Sequence, residues 1–168
     1  MLLYILESAD MRQRGKYFPL FVSLTGKQIY IVGAGKIAAR RAEVLLSFGA
    51  RLFVVAPKCT PELLGLLKKK NGENLVYQKK SFEEADLIGK DMVLAATDDE
   101  ELNHRIAVLC REKGVPVNNA SRKEDCDFFF PAILQEQGLT IGVSSGGDDH
   151  KKVARVCEKL RCFFGISF

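Results

Sequence analysis

Ile29-Tyr30-Ile31-Val32 runs directly into Gly33-Ala34-Gly35-Lys36-Ile37-Ala38, and an amphipathic helical pattern begins at once. No other stretch constrains the fold as tightly. Four β-formers followed by Gly-x-Gly-x-x-Ala predict a buried strand that turns sharply into a helix, with no room for side chains at Gly33 and Gly35. Bare backbone at these positions lets a pyrophosphate approach the helix N-terminus, where free N–H groups and the positive dipole end favour an anion. Ala38 falls where the helix packs against the strand. The pattern therefore assigns Gly33, Gly35, Lys36 and Ile37 to a dinucleotide site. The alternative is an ordinary glycine turn, which the strand-to-helix placement disfavours.

The pattern continues along the chain. The first helix extends to about Phe48 on the apolar residues Ala38, Ala42, Leu45 and Leu46, and Gly49 ends it. Residues 51–56 read as a second strand closed by Pro57, which completes a βαβ unit. A helix opens at Thr60 or Pro61 and closes near Lys68-Lys69-Lys70, and residues 74–78 form a third strand. Ser81-x-x-Glu84 resembles a capping box on a short helix. A fourth strand over 91–96 leads through Thr97-Asp98-Asp99 into a helix that reaches about Lys113. The fifth strand, 115–118, contains Pro116, which suits a strand start or an edge.

Here the alternation stops. Residues 128–134 and 139–144 flank Gln135-Glu136-Gln137-Gly138 as a β-hairpin, and a basic helix follows over 149–162. Residues 1–16 read as a lead-in, and 18–22 as a short extended segment. The fold class expected is α/β: a Rossmann-like doubly wound parallel sheet over 17–122, ordered 3-2-1-4-5. The hairpin and helix over 123–168 form an appendage too small to fold alone. Such an appendage is most easily buried against a second copy, so a homodimer is expected.

Composition narrows the function classes. The chain has 168 residues and a formal net charge of +4, too small to argue for nucleic acid but compatible with an anionic small molecule. No apolar run reaches the length of a membrane span. The apolar opening, Met1 to Leu6, is too short for a secretory segment, so a cytoplasmic protein is expected. Five cysteines without a C-x-x-C pair, and two histidines far apart, give no metal site.

At the carboxyl ends of the strands, Thr97, Asp98 and Asn103 follow the fourth strand, where open α/β sheets bind ligands. Asp98 reads equally well as the cap of the helix that follows. Pro57-Lys58 stands where an acid would take a ribose 2′-hydroxyl, and Lys58 could meet a 2′-phosphate, which leaves NADP open beside NAD. Arg122, Lys123, Lys151, Lys152 and Arg155 could receive an acidic ligand, or form a solvated helix face.

Several separated motifs coincide. Phe18-Pro19-Leu20-Phe21, the glycine fingerprint through Arg40-Arg41, Val54-Val55-Ala56-Pro57 and Ala95-Ala96-Thr97-Asp98-Asp99 with Leu102-Asn103 come in order. Cys126-Asp127-Phe128-Phe129-Phe130-Pro131-Ala132-Ile133 and Ser144-Ser145-Gly146-Gly147 complete the set. Together they resemble the precorrin-2 dehydrogenase family, the NAD-dependent module also found in siroheme synthase, across residues 17–161.

The resemblance implies NAD-dependent oxidation of precorrin-2 to sirohydrochlorin in siroheme or cobalamin biosynthesis, in a dimer whose appendage completes the neighbour's cleft. Some members of the family also insert a metal. It favours NAD over NADP, and it implies that Ser145 and the basic residues named above receive the carboxylates of the tetrapyrrole. The family's catalytic aspartate follows the asparagine of the fifth strand by three residues; here the run is Asn118-Asn119-Ala120-Ser121, so Ser121 holds that place. Asn118, Ser121 and Asp127 are thus the candidates for catalysis, with His104 and Asp125 as possible substitutes for the missing acid. A general base is needed more for metal insertion than for hydride removal, and serine suits that work poorly. Two further departures are Asp148-Asp149-His150 in place of Ser-Pro after the two glycines, and the end at Phe168, where the family's helical region is getting under way. The rivals are a weak NAD- or tetrapyrrole-binding module and a sirohydrochlorin metal chelatase.

Overall fold

A computed structural model describes residues 17–69 and 72–165. The expected lead-in lies outside the described residues. A five-stranded parallel sheet has the order β3-β2-β1-β4-β5, as the alternating pattern predicts. Its strands are β1 (Gln28–Val32), β2 (Arg51–Val55), β3 (Leu75–Gln78), β4 (Met92–Ala95) and β5 (Val117–Asn119). The helices are α1 (Lys36–Ser47), α2 (Pro61–Leu67) and α3 (Glu100–Glu112).

The four β-formers of β1 are all buried because helices cover both faces of the sheet. Ile29 and Ile31 join Ala38, Ala42, Leu45 and Leu46 of α1 and Leu63 of α2 in one core. Tyr30 and Val32 face the other way, into a core with Val93, Ala95, Ile106, Ala107 and Cys110. Gly49, with φ +79°, lets the chain turn back from α1 into β2.

The short helix after β3 is a 3-10 turn, Glu84–Leu87, and its capping box is Glu83 with Asp86 instead of Ser81 with Glu84. Lys80 explains the shift, since its ammonium bonds both Glu83 (3.1 Å) and Asp86 (2.7 Å). Pro116 precedes β5 and contributes its carbonyl to Val93 N–H, a use that needs no N–H of its own.

The hairpin consists of β6 (Ala132–Glu136) and β7 (Leu139–Val143), later than residues 128–134 would place it. Gln135 and Glu136 belong to the strand, pairing with Thr140 and Leu139. Only Gln137 and Gly138 form the loop, both at positive φ (46° and 83°), the twist that suits a two-residue hairpin. Helix α4 (His150–Phe164) packs on both hairpin strands. Within the hairpin and α4 only Leu134 and Cys157 are buried hydrophobics, so this layer has one covered face. Residues 18–22 carry no regular secondary structure, and Phe18, Leu20, Phe21 and Val22 are exposed. Among the described residues no helix is long and apolar enough to cross a membrane.

Candidate functional site

The two glycines of the fingerprint differ in what they do. Gly33 has φ +107°, and a Cβ there would lie 2.3 Å from the Ala96 carbonyl oxygen, a backbone atom of the loop after β4. Its absence lets the β1 and β4 exits close on each other. Gly35 has φ −80° and meets nothing within 4 Å of a hypothetical Cβ. It is the N-cap of α1, makes no side-chain cap, and no acid occupies the first turn. Lys36 and Ile37 are exposed on that turn. An uncapped helix head under open space is suited to a diphosphate, and these residues fit a bound dinucleotide. Thr60 N–H bonds the Ala34 carbonyl (3.2 Å), so the loop after β2, with exposed Pro57 and Lys58, is held beside the same turn.

Along the same carboxyl edge, β4, β5 and α3 bring their polar side chains together. Buried Asn103 accepts at Oδ1 from the Thr97 hydroxyl (2.8 Å) and N–H (3.1 Å). Its Nδ2 donates to the Thr97 carbonyl and to Ser121 Oγ, each at 3.1 Å. Ser121 in turn donates its hydroxyl proton to Asn119 Oδ1 (2.8 Å). Asn119 Nδ2 reaches Asp125 Oδ2 (3.1 Å), which is also 2.8 Å from His104 Nδ1. Burial alone would raise the Asp125 carboxyl pKa, but His104, then Asn119 and Arg111, outweigh it and hold the pKa below the ordinary carboxylate value. Of the residues expected at the site, Thr97, Asn103 and Ser121 therefore meet, and His104 and Asp125 join them. Asp98 is exposed at the rim, and the cap of α3 is Asp99, whose carboxylate accepts from Leu102 N–H at 2.9 Å.

Asn118 and Asp127 are placed elsewhere. Consecutive residues of a strand face opposite ways, so Asn118 turns to the α1 side while Asn119 faces Asp125. Asn118 Oδ1 accepts from Arg41 (2.7 Å) and its Nδ2 donates to the Phe128 carbonyl (2.7 Å). Asp127 accepts Val117 N–H (2.9 Å) at the entry of β5, and Val117 is level with Tyr30, two residues short of the carboxyl edge. There it joins burial in pushing the Cys110 thiol up to about 12. Both side chains are occupied in holding the chain that follows β5.

The expected cations divide. Arg122, next to Ser121, lies 3.7 Å from Glu101, and Lys123 is paired with Asp148 at 2.6 Å, which ties the head of α4 to the exit of β5. Lys151, Lys152 and Arg155 are exposed on α4. Ser145 Oγ accepts Asp149 N–H (2.9 Å) just before that helix. Sequence reasoning missed Asn119 and Arg41. Asn119 carried a readable signal, a polar residue at the end of β5 two before Ser121. Arg41 carried none: its guanidinium, 5.4 Å from the Phe130 ring centroid, is half-buried by a segment distant in sequence, and desolvation lowers its pKa.

Comparison with known proteins agrees with this geometry. A protein of Ruminiclostridium josui named "Probable multifunctional siroheme biosynthesis protein HemA" is 41% identical over 145 residues, 86% of this chain and 28% of its own length. Siroheme synthase of Pseudomonas fluorescens is 42% identical over 133 residues, 79% of this chain and 28% of its own. The chain thus spans under a third of these curated relatives. Among solved structures, that of "SirC, precorrin-2 dehydrogenase" superposes with a TM-score of 0.69 at 25% identity, covering 88% of this chain and 71% of that one. The family model described as "Putative NAD(P)-binding" matches residues 20–132, and the chain belongs to that NAD(P)-binding family.

Proposed function

We propose that this chain oxidises precorrin-2 to sirohydrochlorin with NAD⁺. The observation that carries the reading is the uncapped head of α1 opening onto the same sheet edge as the Ser121 network, at the switch point between β1 and β4. Likeness to siroheme synthases and to the SirC structure supports the substrate. Bound NAD⁺ supplies the hydride acceptor. Gly33 shapes the turn, Gly35, Lys36 and Ile37 receive the diphosphate, and Pro57 and Lys58 border the adenosine side. Thr97 and Asn103 fix the edge, with Asp98 at its rim. Ser121 touches the substrate; Arg122, Lys123, Ser145, Lys151, Lys152 and Arg155 attract and orient its carboxylates. Positioning of the reacting carbon then provides much of the rate.

The reading includes a cytoplasmic homodimer divided into a nucleotide-binding part, 17–122, and a dimerisation part, 123–168. Exposed Leu139, Val156 and Phe163 on the hairpin and α4 support a second copy as the cover. Ser121 favours a second reading, a binding module without turnover, because a hydroxyl replaces the expected carboxylate. An absorbance assay with precorrin-2 and NAD⁺ separates the two. NADH and sirohydrochlorin rising together support the dehydrogenase; NAD⁺ binding without turnover supports the module.

A further inference from the structure

From the head of α3 to the turn after β5, the polar side chains form one directional chain. Asn103 donates to Ser121, Ser121 to Asn119, and Asn119 to Asp125. Every donor points toward one carboxylate. The Asn119 amide has one orientation, because the N–H groups of Ser121 (2.9 Å) and Arg122 (3.3 Å) also require its Oδ1 while Asp125 requires a donor. Asp125 is only 4% exposed, and α3 faces it with His104 Nδ1 at 2.8 Å and the Arg111 guanidinium at 3.5 Å. Ser121, at the other end, is exposed. Hydrogen-bond chains polarise cooperatively where water is excluded.

We propose that Asp125 is a positioning residue for the oxidation. Its charge, carried by the Asn119 amide, holds the Ser121 hydroxyl with its proton inward and its oxygen toward the substrate. A carboxylate two links away thereby supplies the negative potential that an acid at position 121 would supply directly. The inference rests on the dehydrogenase reading above. In that reaction a C–H electron pair leaves with its hydrogen as hydride to the pyridinium ring, which is reduced as the substrate is oxidised. The electron-poor carbon acidifies a ring N–H, Ser121 Oγ accepts a hydrogen bond from it, and its proton passes to water.

The test uses the full chain with Asp125→Asn, Ser121→Asp and the double variant. Asp125→Asn keeps an acceptor for Asn119 and removes the charge. Its kcat is expected to fall about tenfold with KM for NAD⁺ unchanged, less than the roughly 10²–10³-fold lost when a group on the reacting atoms is removed. Adding Ser121→Asp restores kcat, because the charge then sits at the rim itself. In cofactor-free protein the Ser121 backbone amide resonance reports Asn119; it shifts slightly in Asp125→Asn, where Oδ1 stays but is less polarised, and far more in Asn119→Ser, where that acceptor is removed. Should Asp125→Asn unfold the chain, Asn119→Ser cuts the same link and must lower kcat alike. Unchanged kcat in the variant that folds, or no rescue by Ser121→Asp, overturns the proposal. A wild-type chain that binds NAD⁺ without oxidising precorrin-2 overturns the dehydrogenase reading and this one with it; wild-type turnover that ignores the charge of Asp125 overturns this one alone.

Discussion

Replacing each fingerprint glycine by alanine separates folding from binding. At Gly33 the added Cβ would sit 2.3 Å from Ala96 O and 2.9 Å from Thr97 N, against backbone that no rotamer can move aside. A non-glycine residue at φ +107° adds conformational strain. Strain of about 1–3 kcal/mol and overpacking of about 1–3 kcal/mol give a loss near 4 kcal/mol. That is a large part of a domain stability of roughly 5–15 kcal/mol, and corresponds to about 8–16 °C in Tm. Gly35→Ala has ordinary φ and open space, so Tm is expected to hold or rise slightly. Its methyl group instead occupies the approach to the head of α1, and a contact penalty of about 1–3 kcal/mol raises the Kd for NAD⁺ by about 5- to 150-fold. Thermal unfolding by circular dichroism and calorimetric titration with NAD⁺ measure the two effects. A Gly33→Ala protein as stable as wild type, or a Gly35→Ala protein that binds equally well, would refute the division of labour.

Four further outcomes are expected. Ser121→Asp should increase any insertion of divalent metal into sirohydrochlorin, followed by the absorbance change of the macrocycle; a decrease would show that 121 is not the family's acid position. The folded pKa of Asp125 lies below its unfolded value, so its stabilisation is complete above about pH 4 and is lost as pH falls through the folded pKa. Asp125→Asn should therefore flatten the acid limb of a Tm–pH curve, and an unaltered limb would contradict that assignment. Phe163→Asp, on the exposed end of α4, should shift sedimentation toward monomer, and a protein that stays dimeric would move the interface elsewhere. Iodoacetamide at pH 8 should label exposed Cys162 and spare Cys110, whose thiol is fully buried and pushed up to about 12; modification of Cys110 in native protein would count against that core.

Much of the sheet was legible because local and global preferences agree in it. β1, β2 and β4 are short apolar runs closed by Gly33, Pro57 and Thr97-Asp98, and the order follows from right-handed crossovers once the strands are placed. The hairpin was displaced in the reading because Gln135 and Glu136 look like loop residues, whereas a two-residue turn at Gln137-Gly138 needs them as strand partners. Along the carboxyl edge, the positions of Gly33, Gly35, Thr97 and Asn103 were legible from their distance to strand ends. The places of Asn118 and Asp127 were not legible for a physical reason: each stands close in sequence to the carboxyl edge of the sheet, but strand alternation and the returning loop turn them away from the Ser121 network.

The primary structure by itself determined the parallel sheet and the place where an anion can meet a helix end, since both follow from periodicities of two and 3.6 residues and from missing side chains. Only the tertiary structure decided which glycine is needed for packing and which faces open space, because that depends on how near the β4 exit comes to the turn. It also decided that Ser121 is joined through Asn119 to a buried carboxylate, as hydrogen bonds between α3 and the chain after β5 join residues that no sequence spacing relates.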